Sequence, residues 1–282
     1  MTEEKKVNER ATTLSQIGTI TKYNFLNYFR ARRFYVMLVI IILIGGLVTG
    51  LVAYFRPASL LGGNALGFYG AAWGGFANFV IILSAVFFGG DAISGEFQNR
   101  TGYFLVPNPI RRGAIYVGKY LAAIAASSII LGLFALIMVA NALYYFPGSI
   151  PTEFLESVAF AWIYLIAIMS LAFAFSSLFK TSMISVLMTF IVVFLVFGII
   201  DEVVTIVAGY EPWFSITYGA GIISDILTVP YPPHYTPGLL GGRFSIPSYF
   251  PTVSEGLAIL LIYFVVMAIA GLLIFQRKEF SS

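Results

Sequence analysis

Apolar positions in this chain come in long unbroken runs rather than in alternation or in a one-faced stripe. Six runs stand out, roughly Phe34 to Phe55, Ala71 to Gly90, Leu121 to Phe146, Val158 to Phe179, Met183 to Ile200 and Gly256 to Phe275. None contains a Lys, Arg, Asp or Glu. A helix needs about 20 apolar residues to cross the hydrocarbon core of a bilayer. The pattern therefore predicts an all-α membrane protein with six transmembrane helices. A different pattern precedes the first run. Leu14, Ile17, Thr21, Phe25 and Tyr28 recur every three or four residues, the spacing of one helical face. Lys22 and Arg30 fall off that face, and Asn24 and Asn27 dilute it. Residues 1–33 are expected to form an N-terminal segment whose amphipathic helix lies in the membrane interface with its apolar stripe in the acyl boundary. Such a helix is a plain anchor or, in addition, a contact for a partner. Residues 34–282 are expected to form one six-span membrane domain.

Composition agrees. The chain is 59% hydrophobic and 10% charged, with a mean hydropathy of +0.91, far from the balance of a soluble domain. Six spans in 282 residues leave no room for a soluble catalytic domain. Cysteine is absent, which removes disulfides and thiolate chemistry. The first 33 residues lack a short apolar core with a small-residue cleavage site, so no cleavable signal is expected.

Charge sets the expected orientation. With both termini on one side, that side holds Lys5, Lys6, Arg10, Lys22, Arg30, Arg32, Arg33, Arg100, Arg111, Arg112, Lys119, Lys180, Arg277 and Lys278, and the other only Arg56 and Arg243. Basic residues favour the cytoplasm, so both termini are expected there in a multi-pass protein of the cell membrane. Glu153, Glu156, Asp201, Glu202, Glu211, Asp225 and Glu255 fall on the opposite side. The net charge of +3 is spread over separate flanking segments rather than one patch, which argues against a nucleic-acid partner.

The inside segment from Asp91 to Lys119 is the most informative. It runs to roughly thirty residues, where a simple turn between helices needs about two to eight. From Gly95 to Val106 polar residues mix with Phe97, Tyr103, Phe104 and Leu105, which suits a short helix along the membrane surface. Pro107 and Pro109 then break it, because proline lacks the amide hydrogen and clashes with the preceding turn. Arg111, Arg112 and Lys119 would hold the start of the next span at the headgroups.

At these residues the chain resembles the permease subunits of type-2 ABC transporters. That family carries an acidic residue a few positions before a Thr, an apolar patch, a Pro, basic residues and a Lys opening the third span. Here these are Glu96, Thr101, Phe104 to Val106, Pro107, Arg111 or Arg112, and Lys119. The six-span layout, the amphipathic segment and the long loop before the last span fit as well. One departure is that Gln98, Asn99 and Arg100 precede Thr101 where such loops often carry acids and a Gly. The resemblance implies a coupling loop, 91–119, whose short helix docks in a cleft of a separate ATPase subunit. It also implies a pair of permease chains, a homodimer or heterodimer, acting as an exporter. ATP and Mg²⁺ would then bind on the partner, with no cofactor on this chain. Glu96, Phe97, Arg100, Thr101, Tyr103, Phe104, Pro107, Arg111 and Arg112 are the candidate partner-binding residues. Phe97, Tyr103 and Phe104 would fill the cleft. Glu96 and Arg100, four apart, would pair with each other or with the partner. The plain alternative is an interfacial loop that only anchors two spans.

Other chemistry is sparse. Gly113 to Tyr120 matches the phosphate loop G-x-x-x-x-G-K except at its last position, where Tyr120 stands in place of the Ser or Thr that binds magnesium. Any ATP is therefore expected to be hydrolysed by another chain. The spans hold no ionisable residue within these boundaries, which weighs against a proton- or ion-coupled carrier. Asn78 and Asn141 either line a translocation path or hydrogen-bond between helices. Gly46 with Gly50, and Gly70 with Gly74, have the spacing of close helix contacts. The loop 201–254 is semi-apolar up to Thr228 and then rich in Pro, Gly and Tyr; by resemblance its first part forms broken helices that cap the exit. The single histidine, His234, has no second His or Cys beside which to hold a metal, so none is expected. An enzyme would need acids and bases that only Asp91 with Glu96, or Asp201 with Glu202, begin to supply. The alternative to an exporter subunit is an ATP-independent carrier or a membrane scaffold, and a soluble ATPase encoded beside this chain would separate the two.

Overall fold

The computed structural model describes residues 13–55, 64–99, 111–146, 148, 150–237 and 247–278. Among them six helices are long and apolar enough to cross a membrane: Arg32–Tyr54, Ala65–Gln98, Arg112–Tyr145, Thr152–Leu178, Ser182–Ala208 and Val253–Arg277, here spans 1 to 6. The protein is a multi-pass membrane protein. The helices outrun the apolar runs. Span 3 starts at Arg112 instead of Leu121, so Lys119 lies inside the helix, and span 5 continues to Ala208, taking in Asp201 and Glu202. Helical hydrogen bonding does not stop at the hydrocarbon edge, and at about 1.5 Å per residue the 34 residues of span 3 reach about 51 Å.

Spans 2 and 4 form the centre, with 67% and 56% of their central windows buried, against 17% for spans 5 and 6. Span 4 packs on spans 2, 3, 5 and 6, and span 3 carries span 1 on its other side. Large rings fill the junctions: Tyr69 stacks on Phe154 at 3.9 Å and Trp73 on Phe134 at 5.6 Å. Span 2 contains a π-helical turn at Gly70–Gly74, and span 5 contains two, Ile191–Val196 and Val204–Ala208. Such turns insert a residue into the helical ladder and re-aim the side chains beyond it.

The N-terminal helix, α1 (Thr13–Arg30), forms as the periodicity predicts, and part of its stripe packs against span 3. Ile20 and the Ile17 carbonyl press on Gly118 of span 3 so closely that a Cβ there would meet them at 2.7 and 3.2 Å. The packed face includes Asn24, while Leu14 is 80% exposed and off it. Of the glycine pairs, a Cβ on Gly46 or Gly50 would meet no other described residue within 4 Å, so their spacing marks no helix contact among the described residues; Gly74 does pack tightly, against Ser224.

The region between spans 5 and 6 folds as two short helices, α2 (Ile216–Ala220) and α3 (Ile222–Asp225), both largely buried. They press against the start of span 6: a Cβ on Gly256 would stand 2.1 Å from Ile222 Cδ1 and 2.9 Å from the Gly219 carbonyl oxygen. Short helices are what the semi-apolar sequence of this region suggests. Beyond them a two-residue antiparallel pair, Tyr235–Thr236 with Ser248–Tyr249, closes the loop.

Candidate functional site

Two polar assemblies sit at opposite ends of the bundle. The first gathers where α1 and Lys278 lie, and it contains the start of the 91–119 segment. Span 2 turns at 90–93 and continues as one short helix, Ser94–Gln98. The turn is held by hydroxyls: Ser176 Oγ accepts from the amides of Ile93 and Ser94 at 2.9 and 3.0 Å, and Ser185 donates to the Gly90 carbonyl. Glu96 pairs with Lys119, which also donates to the Ala92 carbonyl at 2.9 Å. The acid and the lysine that bracket the segment in sequence are thus joined directly, with Lys119 only 8% exposed.

Glu96 has an intramolecular partner in Lys119, while Arg100, the other residue expected to pair with it, lies outside the described residues. The ring of Phe97, half-buried, meets Phe275 edge-on at 6.3 Å, with Lys278 Nζ 4.3 Å from its centroid. Arg111 donates its amide to Gln16 of α1 at 3.3 Å. Arg112 donates to the carbonyls of Gln276 and Lys278 at 2.9 and 3.1 Å, where its charge offsets the negative end of span 6. Lys278 does the same for span 4, reaching the carbonyls of Ser177, Leu178 and Phe179. Burial, followed by the nearby charge of Lys180, pushes its ammonium down to about 8. Arg100, Thr101, Tyr103, Phe104 and Pro107 lie outside the described residues, as does most of the expected surface helix. Gly113 to Lys119 is continuous helix, with no loop that could wrap a phosphate.

A cavity of about 250 Å³ opens beside this assembly, lined by Asn24, Asn27, Arg33, Asp91, Glu96 and Lys119 among others. Arg33 bonds Asp91 at 2.5 Å and the Phe87 carbonyl at 3.0 Å, and Tyr28 donates to the Phe88 carbonyl. The cavity wall therefore carries two internal ion pairs with no net charge.

The second assembly surrounds α2 and α3 at the other end. Trp73 Nε1 donates to Ser157 Oγ at 2.9 Å, and Ser157 donates on to the Ile223 carbonyl. Ser224 donates to the Gly74 carbonyl at 3.0 Å, beside the π-helical turn of span 2. Thr217 donates to Asp201 at 2.5 Å, while the other oxygen of Asp201 is buried without a partner. Span 5 thus carries an acid that the sequence boundaries had left in the loop. Asn141 bonds the Ile137 carbonyl of its own helix at 2.8 Å rather than a neighbouring span, and the Asn78 side-chain oxygen is buried and unpartnered. These two asparagines are not brought together by any described contact.

No curated protein matches the chain. A family match spans residues 18–280, to the family described as ABC-2 family transporter protein. That match takes in every span and most of α1, and it agrees with the six-helix architecture built above. The chain belongs to the ABC-2 transporter family, as a membrane permease that lacks ATPase activity of its own.

Proposed function

We propose that this chain is the membrane-spanning subunit of an ATP-driven exporter, working as a pair of permease chains with separate ATPase subunits that bind ATP and Mg²⁺. Permeases of this family generally pair with ATPase subunits. Both termini face the cytoplasm in this reading, supported by the one-sided distribution of Lys and Arg. The 91–119 segment is the coupling loop. The observation that carries this is its attachment: the Glu96–Lys119 pair joins the loop to span 3, Ser176 joins it to span 4, the Ser182 amide joins it through Gln98 to span 5, and Phe97 joins it to span 6. A push on the loop by a closing ATPase would reach four spans at once, which is what a mechanical handle requires. Glu96 and Phe97 then anchor the handle, while Arg100, Thr101, Tyr103, Phe104 and Pro107 are left to meet the partner. The translocation path runs between the paired chains, closed on the outside by α2 and α3. Spans 1, 5 and 6, whose outer faces are apolar and uncovered, meet lipid or the second permease.

The test is purification of the tagged chain from its native membranes in mild detergent, with mass spectrometry of what accompanies it. A stoichiometric soluble ATPase is expected, and Phe104→Ala should lower its recovery and uncouple ATP hydrolysis from transport while membrane insertion stays intact. Recovery of the permease alone, repeated in lipid discs, would overturn the reading in favour of an ATP-independent carrier or a scaffold.

A further inference from the structure

Three residues far apart in sequence meet at the end of the bundle that carries α2 and α3. Glu211 follows the end of span 5, His234 lies just before the first short strand, and Glu255 sits in the first turn of span 6. One ligand atom from each lies within 4.8 Å of the others. The tautomer of His234 decides what this cluster can hold. Its Nδ1 stands 2.9 Å from the Phe250 carbonyl oxygen, and a carbonyl only accepts, so Nδ1 carries the proton. In the neutral ring Nε2 then points a lone pair at Glu211 Oε2, 3.3 Å away. Two acceptors facing each other at that distance require a cation between them, either a proton on Nε2 or a metal ion.

We propose that Glu211, His234 and Glu255 form a binding site for a divalent cation of the zinc class. Zinc takes imidazole nitrogen and carboxylate oxygen at about 2.0–2.2 Å in a tetrahedron. The edge of such a tetrahedron is about 3.3 Å by that geometry, the observed Nε2 to Oε2 separation. The supporting contacts are those that metal ligands need to be oriented. The Nδ1 proton of His234 goes to a backbone carbonyl, and the second oxygen of Glu211 accepts from Tyr218 at 2.7 Å. Glu255 is placed by the capping box at the start of span 6, where its carboxylate accepts the Thr252 amide at 3.2 Å. Its Oε2 stands 3.8 Å from Nδ1, on the protonated side of the ring, so its carboxylate must swing toward Nε2 to complete the ligand set. The two carboxylates together carry a formal charge that one divalent ion balances and one proton does not. His234 is 44% exposed at its side chain, so water reaches the ion and fills the fourth position. A bound ion would tie the end of span 5, the loop and the first turn of span 6 into one unit.

The experiment uses the full chain, purified on a tag without histidine, stripped with chelator and reconstituted in lipid discs. Zinc is titrated by calorimetry, and bound metal is counted by mass spectrometry after desalting. One Zn²⁺ per chain is expected. Affinity should fall at least tenfold in His234→Ala and in Glu211→Gln, and Tm should rise with zinc in the wild type only. Because the His234 side chain is half exposed, its removal should not prevent folding, and circular dichroism of both variants checks that. No zinc retained by the wild type, or equal retention by wild type and variants, overturns the site and leaves His234 and Glu211 as an ion pair closed by a proton.

Discussion

The two ends of this bundle are held by different chemistry. At the end with α1, cations dominate: Arg33 and Lys119 pair with acids, while Arg112 and Lys278 reach the last carbonyls of spans 6 and 4. At the other end no Lys or Arg takes part among the described residues: hydroxyl and indole donors and close backbone contacts hold the helices, in the chain from Trp73 through Ser157 to Ile223, in Ser224 on Gly74 and in Gly219 against Gly256. The acids there, Asp201, Glu211 and Glu255, take hydroxyl, amide and imidazole partners. Charged side chains on long stems can exchange partners while keeping their bonds. A backbone contact with no Cβ between the helices cannot shift by an ångström without a clash or a void. Under the proposed reading, the first end would transmit displacement and the second would stay closed until the helices themselves move.

The comparison breaks most severely at Lys119. Removing one member of a buried ion pair leaves the other charge unpaired, at a cost of roughly 3–5 kcal/mol. Lys119→Ala should sharply lower the yield of folded protein and its Tm, read by fluorescence-detected size exclusion. The double variant Lys119→Met with Glu96→Gln should recover most of that loss, because no uncompensated charge remains. A double variant as unstable as the single one would mean that the lysine acts through its bond to the Ala92 carbonyl and not through Glu96.

Next comes the closed end. In Gly256→Val the new side chain meets Ile222 and the Gly219 carbonyl, and overpacking of this kind costs about 1–3 kcal/mol. Gly46→Ala, with nothing within 4 Å, is the matched control and should leave Tm unchanged. Equal Tm values for both variants would show that α2 and α3 are free to give way, and the end would then not be a rigid cap.

Sequence legibility follows the same division. The six spans were readable because each is an apolar run of membrane-crossing length, and the short helices between spans 5 and 6 because their semi-apolar stretch is too broken for a span. Helix ends were not, since Arg112 to Tyr120 is helical for reasons of backbone hydrogen bonding that polarity does not report. The stripe of α1 was visible, but its target was not: only the fold reveals that Gly118 makes room for it. Glu96 and Lys119 were each singled out, yet their pairing joins two ends of a long segment and nothing local encodes it. Glu211, His234 and Glu255 were invisible as a group for the same reason, because each looks like an isolated loop or cap residue. Periodicity reports what a residue's own helix does, whereas these sites are made where separate helices end.

The smallest expected effect sharpens the comparison most, because it asks whether the end packed by α2 and α3 tolerates a buried charge. Asp225 closes α3, and burial pushes its carboxyl up to about 7. Its folded-state value lies above the unfolded one, so the folded protein binds this proton more tightly. Below about pH 4 both states are protonated and the residue costs nothing; stability then falls as pH rises, and the full cost is present above about pH 7. Asp225→Asn keeps the shape and removes the charge. It should raise Tm by roughly 2–4 °C at pH 8 and leave it nearly unchanged at pH 4, measured in the same lipid discs. A gain of equal size at both pH values would trace to packing. No gain at pH 8 would mean that water reaches the carboxylate, and the cap would then be looser than its glycine contacts imply.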